Sequence, residues 1–169
     1  MDFDQLELIG EEEDAQLDKY LTFTVDGEEY AIAIRSVTEI IGIQPINTLP
    51  EVPAFVKGVI NLRGKIIPVV DMRLRFGKSV TTFTDRTCIV VVQTERLAAG
   101  LIVDEVSEVM VIDEEDVVPP PDIQTSDSRR YISGIGKVGE KIKLIIDCER
   151  LFDDDETESM EGIEEGAIE

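Results

Sequence analysis

The chain has 169 residues, of which 43% are hydrophobic and 31% charged, with a formal net charge of −21 and no histidine. That balance fits one folded domain, or two small ones packed together, with enough apolar side chain for a real core. No run approaches the roughly 20 apolar residues of a membrane span, the acidic start MDFDQLELIGEEEDAQLD is the opposite of a signal peptide, and without histidine there are no Ser-His or Cys-His nucleophile pairs.

The charge is concentrated at the ends. Residues 1–18 hold eight acids and no base, and residues 153–169 hold nine acids and no base. Both segments are expected to be disordered acidic extensions. The twenty acids of the body face all sixteen bases, so the body is close to balanced. Neither tails nor body offers a basic stripe for phosphates, so nucleic acid is not an expected partner. A cytoplasmic chain with no direct membrane insertion is expected.

In chain order, runs rich in Val, Ile, Phe and Tyr predict strands at 20–25, 29–34, 39–46, 59–63 and 65–71, then at 86–93, 98–103, 106–112, 132–138 and 141–147. Asp26-Gly27 is a hairpin turn, because glycine takes positive φ at no steric cost. Short helical turns are expected at 54–57, 72–76, 113–117 and 148–152. Pro68 cannot donate to a ladder, which predicts an edge or a bulge there. Residues 118–130, opening on three prolines, predict an extended loop.

The chain repeats itself. VKGVINLRGKIIPVVDMRLRF (56–76) lies without gaps over ISGIGKVGEKIKLIIDCERLF (132–152), at an offset of 76. Upstream, IAIRSVTEI (32–40) lies over LIVDEVSEV (101–109) at an offset of 69. This predicts two related five-stranded units, each a small barrel, the first at about 20–78 and the second at about 85–148. Units that small are marginal alone, which predicts a shared core and a groove where they meet.

Reactive chemistry is sparse. Gly134, Gly136 and Gly139 match GxGxxG, but a strand follows where a dinucleotide site needs a helix, so a twisted hairpin explains them better. Cys88 and Cys148 sit in apolar runs and read as reduced core thiols. No metal site and no cofactor are expected. A carboxylate-pair hydrolase stays open only because acids can meet across a fold. Its mark would be a cleft with two facing acids of raised pKa, which is not expected here. What remains is a binding module. Arg63 tops a hairpin and could pair with Glu39 if their strands are neighbours, either as a plain surface salt bridge or as part of a binding site.

Four strings carry a family resemblance: YLTFTVDGEEYAIAI (20–34), VTEI (37–40), PAFVKGVINLRGKIIPVVDMR (53–73) and GLIVDEVSEV (100–109). Together they resemble the CheW family of bacterial chemotaxis coupling proteins, in order from about residue 20 to 152. The resemblance implies an all-β fold of two SH3-like five-stranded β-barrels packed against each other. It also implies a non-enzymatic adaptor that joins chemoreceptor cytoplasmic tips to the histidine kinase CheA, binding the kinase's own CheW-like regulatory domain. The family's motifs carry a receptor-binding role onto Val37, Glu39, Ile40, Gly58 and Arg63, and more weakly onto Val109. The boundaries implied are a domain at 19–152, ending in a short helix at 148–152, between the acidic extensions. No receiver or kinase motif accompanies it, so a stand-alone coupling protein is expected. A related array with another output is the alternative within the same class.

Overall fold

The computed structural model describes residues 18–120 and 131–152. The expected loop at 118–130 falls largely outside that range, and the two acidic extensions, apart from Asp18, lie outside it. Strands β1 (Lys19–Val25) and β2 (Glu28–Ala33) form a hairpin through Asp26 and Gly27, at φ 51° and 79°. A 3₁₀ turn at Ile34–Ser36 leads to β3 (Val37–Gly42), and a longer connection leads to β4 (Val56–Leu62) and β5 (Lys65–Asp71). Helix α1 (Met72–Arg75) ends the first half. The second half runs β6 (Cys88–Gln93), β7 (Ala98–Val103), β8 (Glu105–Val111), a 3₁₀ turn at Glu114–Asp116, β9 (Val117–Val118), β10 (Ile132–Val138), β11 (Lys141–Ile146) and α2 (Cys148–Leu151).

The expected duplication is visible in detail. β10, β11 and α2 begin 76 residues after β4, β5 and α1. Register shifts occur at Val56/Gly58 and again at Ile132/Gly134. Asp71 Oδ1 accepts from Arg73 N and Asp147 Oδ1 accepts from Glu149 N, each at 2.9 Å, so each short helix starts on an aspartate cap. β1 likewise precedes β6 by 69 residues, and β3 precedes β8 by 68.

The strands do not sort by half. One sheet has the order β8-β1-β2-β11-β10-β9 and the other β3-β6-β7-β5-β4. Each repeat therefore lends its first hairpin to the other's sheet, through the parallel junctions β2–β11 and β5–β7. This corrects the expected contiguous barrels at 20–78 and 85–148. The links explain it. Only Asp104 separates β7 from β8, too little chain to reverse direction into a hairpin, so β8 must pass to the other sheet. Each sheet is curled, but its edge strands are not joined into one ladder, so neither is a closed barrel.

Side-chain alternation builds three cores. In β6, Ile89 and Val91 face a small cluster inside their own sheet, while Val90 and Val92 face the large core shared by both sheets. In β11, Ile145 likewise turns into a small cluster inside its own sheet, while Ile146 joins the shared core. Phe23, Tyr30, Leu101 and Met72 anchor that shared core, so most burial lies at the junction of the two sheets.

Pro68 is not on an edge strand, as one of its two expectations had it. β5 lies between β4 and β7, but its ladder to β7 starts only at Val69, so Pro68 sits one residue before the paired stretch and its missing N–H leaves that ladder intact. The bulge is nearby, on the facing strand at Val56/Gly58. The helical turn expected at 54–57 is absent, because Val56 and Lys57 already belong to β4. β3 starts two residues earlier than expected and stops at Gly42.

Candidate functional site

The second sheet is almost closed on itself at one place. Its edge strands are β3 and β4. After β3 the chain returns to β4 through Asn47, which exchanges hydrogen bonds with Val59 at 2.9 and 2.8 Å. Gly58 makes room for that return. It sits at φ 148°, and a Cβ there would stand 2.0 Å from the Asn47 carbonyl oxygen. A side chain at 58 would push the returning segment away.

Arg63 and Glu39 complete the closure. Arg63 occupies the tip of the β4–β5 hairpin, and Glu39 lies on β3 just past a register shift at Val37/Glu39. Nη1 of Arg63 donates to Oε1 of Glu39 at 3.0 Å, and Nη2 pairs with Oε2. The strands are not neighbours, contrary to the condition on which the pairing was expected. They are opposite edges of one sheet that curling brings together.

The burial is asymmetric: the Glu39 side chain is 6% exposed and that of Arg63 is 70% exposed. The carboxylate is covered by the guanidinium, and the bidentate contact raises the Arg63 pKa further above its usual value. A guanidinium carries five N–H groups in a fixed fork, so donors remain directed at solvent.

The other expected residues flank this closure from within. Val37 and Ile40 are half-buried on β3 and pack against the shared core. Val109 packs against the same core from β8, on the other sheet, in the place 69 residues after Ile40. The structure thus brings Glu39, Gly58 and Arg63 to one seam, and sets Val37, Ile40 and Val109 on the two strands that edge the common core. A cleft of about 400 Å³ lined in part by Arg35, Ser36, Glu95 and Cys148 contains none of the six.

Two cross-sheet contacts gave no sequence signal. Arg73 on α1 donates to both oxygens of Asp104, at 2.9 and 2.7 Å, and to Asp26 at 3.2 Å. It ties the helix to the β7–β8 link and the β1–β2 turn. Arg75 lies 4.9 Å from the ring centroids of both Phe55 and Tyr131. Only the side-chain types were legible beforehand, because both contacts join segments far apart in sequence.

Two titratable groups of the interior, a thiol and a phenol, are held in their neutral forms. Burial pushes the Cys148 thiol up to about 12 and the Tyr30 phenol up to about 12. Among the described residues no three His, Cys, Asp or Glu side chains gather as a metal site would need, and no helix is long and apolar enough to cross a membrane. The arrangement offers a surface of paired charge beside apolar strands, suited to gripping another protein.

Known proteins resemble this chain. Residues 19–156 match the CheW-like domain family. The chemotaxis protein CheW of Klebsiella aerogenes is 32% identical over 86% of this chain and 87% of its own length. A probable chemotaxis protein CheW of Rhizobium etli is 34% identical over 82% of this chain and 90% of its own. The crystal structure of the scaffolding protein TtCheW from Thermoanaerobacter tengcongensis superposes with a TM-score of 0.76 at 39% identity, covering 82% of this chain and 94% of that one. With two curled sheets, exchanged hairpins and a match spanning nearly all described residues, the chain belongs to the CheW family.

Proposed function

We propose that this chain is a chemotaxis adaptor that couples the cytoplasmic tips of chemoreceptors to the histidine kinase CheA. It works in the cytoplasm, recruited to receptor arrays at the inner face of the membrane. It acts by selective binding and carries out no reaction of its own. The observation that carries this reading is the Arg63–Glu39 pair, a buried carboxylate under an exposed guanidinium on the edge of the shared core. CheA is engaged through its own CheW-like regulatory domain, sheet against sheet. A receptor tip is a helical hairpin, and one helix lays its apolar face beside Val37, Ile40 and Val109 while Arg63 sets its register. Small interfaces of this kind depend on a few central residues. Control of the kinase follows if the assembly contacts one kinase conformation more favourably than another.

The test is reconstitution with CheA and receptor tips. Arg63→Glu is expected to keep the fold and to weaken receptor-coupled kinase stimulation. Full stimulation by that variant removes Arg63 from the interface, and failure of the wild-type chain to retain CheA in a pull-down removes the coupling role.

A further inference from the structure

We infer that Asn61 is the positioning residue for Arg63: it holds the turn that lets an arginine occupy a left-handed seat and face Glu39. Arg63 lies at φ 52° and Gly64 at φ 89°, so the turn between Leu62 and Lys65 has two left-handed central residues. Such turns match the twist of the strands, and their first seat normally goes to Asn, Asp or Gly. Arginine suits it poorly, because its Cβ crowds the backbone and it has no short polar group to bond locally. Here the short polar group comes from two residues earlier. Asn61 Oδ1 accepts from Gly64 N at 2.8 Å, spanning the turn that contains Arg63.

The second repeat is an internal control. Seventy-six residues on, Gly139 takes the left-handed seat at φ 61°, and the place of Asn61 is held by Lys137. Where glycine fills the seat, no asparagine braces it. The equivalent of Glu39, 69 residues on, is Glu108, which is exposed and faces no arginine in that turn. Asparagine, left-handed arginine and buried glutamate therefore occur together in one repeat and are all missing from the other. A brace that served the hairpin alone would be expected in both.

This rests on the proposed binding role only for its consequence in partner binding; the positioning is read without any partner. In the full chain, Asn61→Ala and Asn61→Asp are each made alone and with Arg63→Ala. The first readout is the ¹⁵N spectrum of the arginine side chains. Asn61→Ala should move the Arg63 guanidinium signals to those of a solvated arginine, while Asn61→Asp, which keeps an acceptor, should leave them near their wild-type positions. An unchanged Arg63 signal in Asn61→Ala overturns the inference. The second readout is affinity for a helical-hairpin peptide from a chemoreceptor tip. Asn61→Ala should weaken it about fivefold, of the order expected for misplacing one charge-assisted contact. In the Arg63→Ala background it should change nothing further. An equal loss in both backgrounds shows a general structural role and also overturns the inference. If Arg63→Ala leaves peptide affinity unchanged, the binding role of Arg63 fails and the spectra alone decide Asn61.

Discussion

Phe55 and Tyr131 hold the same place in the two repeats, 76 residues apart, and clasp the guanidinium of Arg75 between them at 4.9 Å from each ring. Arg75 Nη2 also donates to the Leu151 carbonyl at 3.1 Å, and Leu151 lies 76 residues after Arg75 itself. The cation thus pins together the points where the halves meet. Arg75→Ala should cost about 2 kcal/mol, from two cation–π contacts and lost stem packing. A lower urea midpoint at unchanged m-value checks it. An unchanged midpoint shows the clasp to be incidental.

The exchanged hairpins make the halves interdependent. β1 and β2 have their hydrogen-bonding partners among β8 and β11, not among β3–β5. Cutting the exposed connection between residues 79 and 86 should give fragments that stay associated. Separated under denaturant, each alone should lack the far-UV signal of the intact chain, and mixing should restore it. A half that folds alone as a monomer contradicts the interleaved topology.

Gly58 offers a purely steric test. A Cβ would meet backbone, which cannot swing aside as a side-chain tip can. Gly58→Ala should destabilise by roughly 3 kcal/mol, as expected for a forced backbone shift at a strained φ. Loss of amide protection at Asn47 and Val59 in hydrogen exchange would locate the damage at the seam.

A half-buried ion pair sets one acid dependence. Lys143 Nζ lies 2.9 Å from Glu29 Oε1, and its side chain is 8% exposed. The hydrogen bond from Lys143 lowers the Glu29 pKa below its usual 4.5. A carboxyl with a depressed folded pKa contributes stability that is full above about 4.5 and is lost as pH falls through the lower, folded value. Glu29→Gln should therefore lower the melting temperature at pH 7, and the gap to wild type should narrow on acidification towards pH 3. A gap that stays constant means the pair contributes nothing that titrates.

Much of the strand pattern could be read in advance. β5, β7 and β10 begin and end where alternation and turn residues placed them, because those signals are local. The ends of β3 and β4 could not be placed so well. They are set by the register shifts at Val37/Glu39 and Val56/Gly58 and by the return of Asn47, which depend on strands elsewhere in the chain. The six candidate residues came from motif resemblance, and the structure brings three of them, Glu39, Gly58 and Arg63, to one seam. Asn61 was not, since an asparagine before a turn looks the same whether or not its side chain spans it.

By itself, the order of amino acids established an all-β chain built twice over, with an isolated arginine at one hairpin tip. Periodicity, glycines and a long ungapped internal match are properties of short segments and survive without coordinates. Which hairpin pairs with which sheet, and that Arg63 reaches Glu39 across two edges, were decided in three dimensions. Both repeats present the same alternating faces, so either pairing buries similar apolar surface. Short links such as Asp104, and the curl of each sheet, select between them.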